Sequence, residues 1–422
     1  MSLSSEALSV GEDFSDRLRM VRDTSVELCN TLHEEDFVVQ SMPDVSPTKW
    51  HLAHTTWFFE TFVLAPRVPG YCVFDERYEY LFNSYYYTVG QMHPRPRRGL
   101  LSRPTVAETM AYRSHVDAYL QRLMEDEQGD PELEALITLG LHHEQQHQEL
   151  LLTDIKHVFA QNPLCPVFRE AGTSGDARPP PMEFIEGASG LVEIGHRGDG
   201  FCFDNECPRH HTYLHPHALA TRPVTNEEYL EFIRDGGYRT PELWLSDGWA
   251  TVQREHWDRP LYWSEGLDSV FTLNGQRALE AAEPVSHVSY YEADAFTRWA
   301  GMRLPTEAEW EVAAESHRVS GNFMEDGRFH PMPAPVRESG GRPLQVFGDV
   351  WEWTASPYVP YPGFRPLAGA IGEYNGKFMC NQLVLRGGSC VTASSQVRVS
   401  YRNFFYPDQR WQFMGIRPAR DA

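Results

Sequence analysis

The stretch EAGTSGDARPPP, Glu170 to Pro181, divides the chain into two parts of different texture. It has no apolar period and is rich in Gly, Ser and Pro, the composition of a linker. Before it, apolar residues recur at helical spacing. After it, short apolar or aromatic runs such as FIEGASGLVEIG, FCFDNECP and SYRNFF are broken by Gly, Pro and Asn. A chain of 422 residues is also too long for one ordinary core. The break therefore predicts two domains, residues 1–169 and 182–422, with residues 170–181 as the linker. The fold class expected is α+β multidomain.

The first part reads as a helical bundle. Ser15 to Leu32 carries helical spacing, and Ser46-Pro47 reads as an N-cap with proline at the first helical position, opening KWHLAHTTWFFETFVLA. Thr105-x-x-Glu108 is a capping box before AYRSHVDAYLQRLM. Asp130-Pro131 opens the last helix, which must stop near Asn162-Pro163. Four long helices in sequence predict an antiparallel four-helix bundle. In the second part, where Trp and other aromatics gather, TNEEYLEFIRDGG and SYYEADAFTRWAG read as helices within an irregular domain ordered by large side chains.

Charge and cysteine usage narrow the function. A net charge of −22 argues against nucleic acid and against anionic membrane surfaces. No apolar run is long enough to span a bilayer, and the polar, acidic start lacks the features of a signal peptide. The expected location is the cytoplasm. Seven scattered cysteines read as reduced thiols rather than a disulfide framework, Cys202 and Cys207 included. A homo-oligomer stays open.

The chemistry concentrates in LHHEQQHQELL, Leu141 to Leu151. His143 and His147 stand four apart, which puts both imidazoles on one helix face. With Glu144 this is the H-E-x-x-H pattern of zinc peptidases, where the glutamate activates water. On a helix, however, Glu144 points about 100° away from His143. A third imidazole comes from the Ser46 helix, which carries His51 and His54; His54 lies deeper in the apolar pattern and is the chosen ligand. Three neutral imidazoles suit Zn, Fe, Ni or Cu, and they leave open positions for chemistry. Spacing alone does not choose among these metals.

Three stretches of the second part, GMRLPTEAEWEVAA, GDVWEWTASPY and LRGGSC, resemble the formylglycine-generating-enzyme-like domain, a variant of the C-type lectin fold. The first part, with KWHLAH and HHEQQH, resembles the DinB-like four-helix bundle. Bundle first and lectin-like domain second, the chain resembles the ergothioneine-biosynthetic sulfoxide synthases. That resemblance implies an iron(II) oxidoreductase that uses O₂ to join a thiol sulfur to imidazole C2 of hercynine (Nα-trimethylhistidine) and to oxidise the sulfur. It implies His54, His143 and His147 as iron ligands, with Gln146 and Asn403 holding hercynine.

Departures from the family's γ-glutamylcysteine-using branch point to a branch that acts on free cysteine. Phe405 stands where that branch has a substrate-binding aspartate, and an aromatic ring cannot accept an ammonium hydrogen bond. On the alignment of IGEYNGKF, Ile371 replaces the proton-donating tyrosine and Tyr374 keeps the place of its partner beside the substrate. The segment NSYYYTVGQMHPRPRRG offers replacements. Tyr85 and Tyr86 are expected as the acid pair, Tyr being a proton donor with a pKa of about 10. Arg95 and Arg98 are expected to grip the cysteine carboxylate bidentately. The small-molecule partners are then hercynine, cysteine and O₂. The alternatives are a γ-glutamylcysteine-using or ovothiol-type enzyme, a zinc thiol transferase or hydrolase of the DinB type, and a non-enzymatic lectin-like module.

Overall fold

The structure is a computed structural model that describes residues 14–127, 129–170, 179–335 and 340–422. Most of the expected linker, residues 171–178, lies outside the described residues. The chain separates into two compact units, Met1–Phe168 with Ala368–Tyr374, and Arg169–Leu367 with Asn375–Ala422. Seven residues from the far half of the sequence thus belong with the helical unit.

The helical unit is built on α1 (Phe14–Glu27), α2 (Thr48–Phe59), the short α3 (Ala65–Arg67) and α4 (Tyr78–Phe82), then α5 (Val106–Asp126) and α6 (Pro131–Ala160). Helix α1 stops short of Leu32 because the chain tightens after Glu27 into bonds such as Cys29 N–H to the Val26 carbonyl. Every residue of α2 is buried, its histidines and threonines along with its apolar side chains. It packs against α5 and α6, and α1 packs against α6. Gly140 permits the α2–α6 approach: a Cβ there would lie 2.5 Å from the Phe59 ring. Beyond Phe59 the helix continues through a π-helical turn, Glu60–Leu64.

The start of α2 departs from expectation. Pro47, not Ser46, is the cap residue, and no side chain caps the helix. Ser46 is occupied elsewhere: its N–H donates to Asp154 and its hydroxyl accepts from Arg98. The capping box at Thr105 and Glu108 is present, and Asp130 caps α6 with proline following.

The second unit contains α7 (Asn226–Arg234), α8 (Ser246–Glu255), α9 (Tyr290–Trp299) and α10 (Glu307–Ala314). Its strands are β1 (Phe184–Glu186), β2 (Gly190–Ile194), β3 (His210–Leu214), β4 (His217–Ala220), β5 (Ser269–Thr272), β6 (Gly275–Ala278), β7 (Trp351–Pro357), β8 (Leu383–Arg386), β9 (Asn403–Phe405), β10 (Met414–Gly415) and β11 (Ala419–Asp421). They form sheets β1-β4-β11 and β10-β7-β8-β9 and two hairpins. Only the β10–β7 pair is parallel among these described strands.

The motifs that carry the family resemblance serve this unit's interior. Glu352 of GDVWEW accepts from Arg417 at 2.7 Å and from the Trp310 indole at 2.7 Å. Glu307 and Glu311 of the TEAEWE stretch accept from the fully buried Arg386. Buried charges must be paired and hydrogen-bonded, and these motifs supply the pairs. Among the described residues, no helix is long and apolar enough to cross a membrane.

Candidate metal centre

His54 of α2 and His143 and His147 of α6 converge in the helical unit, with one ring nitrogen from each lying within 4.8 Å of the others. They are the residues expected from the sequence. His54 and His143 are buried and His147 is half-buried. Burial pushes His143 down to about 3. Burial, followed by the neighbouring imidazoles, also holds His54 and His147 well below the usual histidine range. All three are therefore neutral, the form that ligates a metal.

Hydrogen bonds fix which nitrogens face inward. His54 Nδ1 lies 2.6 Å from the Phe82 carbonyl, which can only accept, so Nδ1 holds the proton and Nε2 the lone pair. His51 Nε2 lies 3.1 Å from Asp154 Oδ2, and Ser46 N–H donates to the same oxygen at 2.7 Å. The carboxylate accepts from His51 Nε2–H, and in that tautomer the His51 Nδ1 lone pair faces His147 Nδ1 at 2.9 Å. His147 must donate there, which leaves its Nε2 free to ligate. Asp154, His51 and His147 form a carboxylate–histidine–histidine chain of the kind that orients metal-binding imidazoles.

The donor set fits a divalent transition ion. His54 Nε2 and His143 Nε2 are 3.1 Å apart. Two nitrogens about 2.1 Å from one ion and at right angles lie about 3.0 Å apart. Glu144 takes no part. It is buried and accepts from Arg22 at 2.8 Å, from Ser25 at 2.6 Å and from Arg113. Burial alone would raise its pKa, but Arg113 and Arg22 hold it down at about 2. A carboxylate occupied by two guanidiniums is not the water-activating base of a hydrolase.

Around the three imidazoles stand the other expected residues of the helical unit. Tyr374 donates its hydroxyl to Gln146 Oε1, and its ring centre lies 5.5 Å from that of His143 and 6.1 Å from that of Tyr85. Tyr85 and Tyr86 pack with ring centres 4.6 Å apart and planes inclined at 33°, and burial pushes both phenols up. Arg98 is buried on the other flank, its guanidinium 3.3 Å above the Trp50 ring, which in turn stacks on His54 at 4.6 Å. Among the described residues Arg98 bonds the hydroxyls of Ser46 (2.9 Å) and Ser84 (3.3 Å), and its Nε is buried with no hydrogen-bond partner. Burial, with Arg95 close by, works against its charge, yet a guanidinium keeps its proton. Among the described residues no carboxylate bonds this cation directly; the Asp154 charge supports it from across Ser46, whose N–H donates to Asp154 and whose hydroxyl accepts from Arg98. Arg95 is exposed and donates to the Asp44 carbonyl.

Asn403 and Phe405 lie in the second unit, on β9. Asn403 is half-buried and accepts from the Phe404 N–H, and Phe405 packs edge-on against Trp411. Cys202 and Cys207 are free thiols with sulfurs 3.4 Å apart.

Sequence reasoning missed Asp154, Trp50, Asn83 and Glu373. Asp154 was within reach, since it follows His147 by seven residues and so shares its helix face. Glu373 carried no signal of its own.

The fold and the site together define a two-domain metal-site protein, a helical bundle fused to an irregular α+β domain. Residues 17–151 match the DinB superfamily, and residues 168–422 match the sulfatase-modifying factor enzyme 1-like domain. Hercynine oxygenase of Mycolicibacterium smegmatis is 31% identical over 97% of this chain and 99% of its own. The hercynine oxygenase of Mycobacterium tuberculosis is 33% identical over 96% of each chain. A formylglycine-generating enzyme of Streptomyces coelicolor is 30% identical over 61% of this chain and 92% of its own. The chain belongs to the hercynine oxygenase family and is an oxygen-dependent oxidoreductase.

Proposed function

We propose that the enzyme forms hercynylcysteine sulfoxide in ergothioneine biosynthesis, from hercynine, free cysteine and O₂, on iron(II) held by His54, His143 and His147. The thiol S–H and the imidazole C2–H are lost, a C–S bond forms, and the sulfur becomes a sulfoxide. One atom of O₂ ends on sulfur and the other leaves as water with the two hydrogens, so the four electrons balance. Bound iron would supply the O₂ redox chemistry and a common anchor for both substrates.

The chain's own residues divide the remaining work. Gln146 holds hercynine, and the Tyr374 hydroxyl, bonded to Gln146 Oε1, fixes which way that amide faces. Arg98, with Arg95, takes the cysteine carboxylate. Tyr85 and Tyr86 hold the proton delivered as O₂ is reduced, a task worth about 10²–10⁴-fold in rate for a well-placed acid.

One observation carries the reading: a cluster of phenols and a buried guanidinium bonded to serine hydroxyls both flank the same three neutral imidazoles. A hydrolase has no use for the phenols, and its base is consumed by arginines. The test is O₂ uptake and product mass on anaerobically purified, iron-loaded protein. Hercynine with cysteine should give the sulfoxide, and hercynine with γ-glutamylcysteine or histidine with cysteine should give far less. Turnover with zinc and without oxygen would overturn the proposal.

A further inference from the structure

The turn that carries Tyr85 and Tyr86 is held from two sides. On the inside, the fully buried Asn83 accepts from the Tyr86 N–H at 3.0 Å and donates to the Tyr86 carbonyl at 3.0 Å. On the outside, the Glu373 carboxylate accepts from the Tyr87 N–H at 3.0 Å, the Thr88 N–H at 2.9 Å and the Thr88 hydroxyl at 2.5 Å. Hydrogen bonds to a carboxylate are about twice as strong as neutral ones. Three of them on two consecutive residues pin the peptide immediately after the tyrosine pair. Glu373 belongs to Ala368–Tyr374, the segment that joins the helical unit from the far half of the chain. The next residue, Tyr374, reaches Gln146 and packs by His143 and Tyr85. One short segment therefore touches both ends of the phenol cluster.

We infer that Glu373 is a positioning residue for the phenols: it clamps the Tyr87–Thr88 peptide and so holds Tyr85 and Tyr86, with Tyr374, in register beside the three imidazoles. The inference rests on the proposed role of the tyrosines as proton donors. Apart from Glu373, the outer half of the turn is held by local bonds such as Val89 N–H to the Tyr86 carbonyl and by the Asn83 amide donating to the Gly90 carbonyl at 3.3 Å. A displacement of about 1 Å in a catalytic group can cost about 10²-fold, whereas the clamp itself sits on exposed residues, Tyr87 and Thr88. Losing it should therefore disturb proton delivery far more than folding.

The experiment compares Glu373→Ala and Glu373→Gln with Tyr85→Phe and Tyr86→Phe in the full-length, iron-loaded enzyme given hercynine and cysteine. Four quantities are read: sulfoxide formed per O₂ consumed, cysteine oxidised to cystine, iron stoichiometry and Tm. Glu373→Ala should lower sulfoxide per O₂ by about tenfold, an intermediate loss between none and complete misplacement. Cystine should rise, with iron content and Tm near wild type, and Glu373→Gln, which keeps one acceptor, should lose less. Combining Glu373→Ala with Tyr85→Phe should add little to the tyrosine variant alone. Wild-type partition in Glu373→Ala, with Tyr85→Phe or Tyr86→Phe impaired, would overturn the clamp and leave the proposed function intact. A fall in Tm at unchanged partition would also overturn it. Wild-type partition in both tyrosine variants would instead refute their role as donors, whatever Glu373 does.

Discussion

His143 and Glu144 are adjacent on α6, yet the two sides of the helix they face are built on opposite terms. On the Glu144 side, buried charge is met by charge: one carboxylate, two guanidiniums and the Ser25 hydroxyl. On the His143 side there is no such closure. Three neutral imidazoles face one another, and among the described residues His143 Nδ1 is buried without a hydrogen-bond partner and the nearby Arg98 bonds serine hydroxyls rather than a carboxylate. Buried polar groups in a folded protein are normally satisfied, and the Glu144 side obeys that rule. The unmet valence on the other side marks where ligands belong. A buried network complete in itself holds helices together, and one left incomplete in a consistent direction is a site.

The comparison breaks most decisively at the ligands. His143→Ala or His147→Ala should remove iron binding, and turnover should fall by about 10³-fold or more, the several kcal/mol that a metal centre contributes. Iron analysis together with O₂ uptake reads both effects, and iron retained at full stoichiometry would refute the centre. These variants should fold, because removing a neutral imidazole strands no buried charge.

Glu144→Ala should do the reverse. It leaves Arg22 and Arg113 buried without their shared carboxylate, a loss of about 3–5 kcal/mol for a broken buried pair. Denaturant unfolding should show that loss, while the fraction that remains folded binds iron with unchanged stoichiometry. A Glu144→Ala protein of wild-type stability that cannot hold iron would reverse the assignment of the two sides.

How far this contrast could be read from the sequence follows from what each interaction needs. The two α6 histidines and the caps of α5 and α6 depend on spacings of three and four residues, which one helix fixes by itself, so they were legible. His54 was legible because Leu52, Ala53, Trp57 and Phe58 surround it along the helix. The partners of Glu144 were not: Arg22, Arg113 and Glu144 lie on three helices, and nothing local marks which arginines turn inward. Ser46 was misread for a related reason, since a serine before proline suits an N-cap locally, but Asp154 and Arg98 compete for it and win. Glu373 was beyond reach altogether, because its donors are backbone N–H groups nearly three hundred residues earlier, and a peptide N–H carries no sequence signature.

Asp154 offers the smallest effect and the finest division between the two sides. It is buried and acidic like Glu144, but it meets His51 and the Ser46 N–H rather than a pair of arginines. Asp154→Asn keeps the shape and one acceptor. It removes the charge that draws the proton to His51 Nε2, so His51 no longer needs to present a lone pair to His147. His147 Nδ1 can then lose its proton acceptor, and the imidazole its fixed orientation. Changing such an outer partner of a metal-binding histidine costs about 10–100-fold in metal affinity. Titration with Fe(II) or Co(II) should show a weaker Kd at unchanged stoichiometry, with a smaller loss of stability than in Glu144→Ala. If Asp154→Asn binds metal as tightly as wild type and unfolds as readily as Glu144→Ala, then Asp154 serves the scaffold, and the boundary between the two sides of α6 lies at His147.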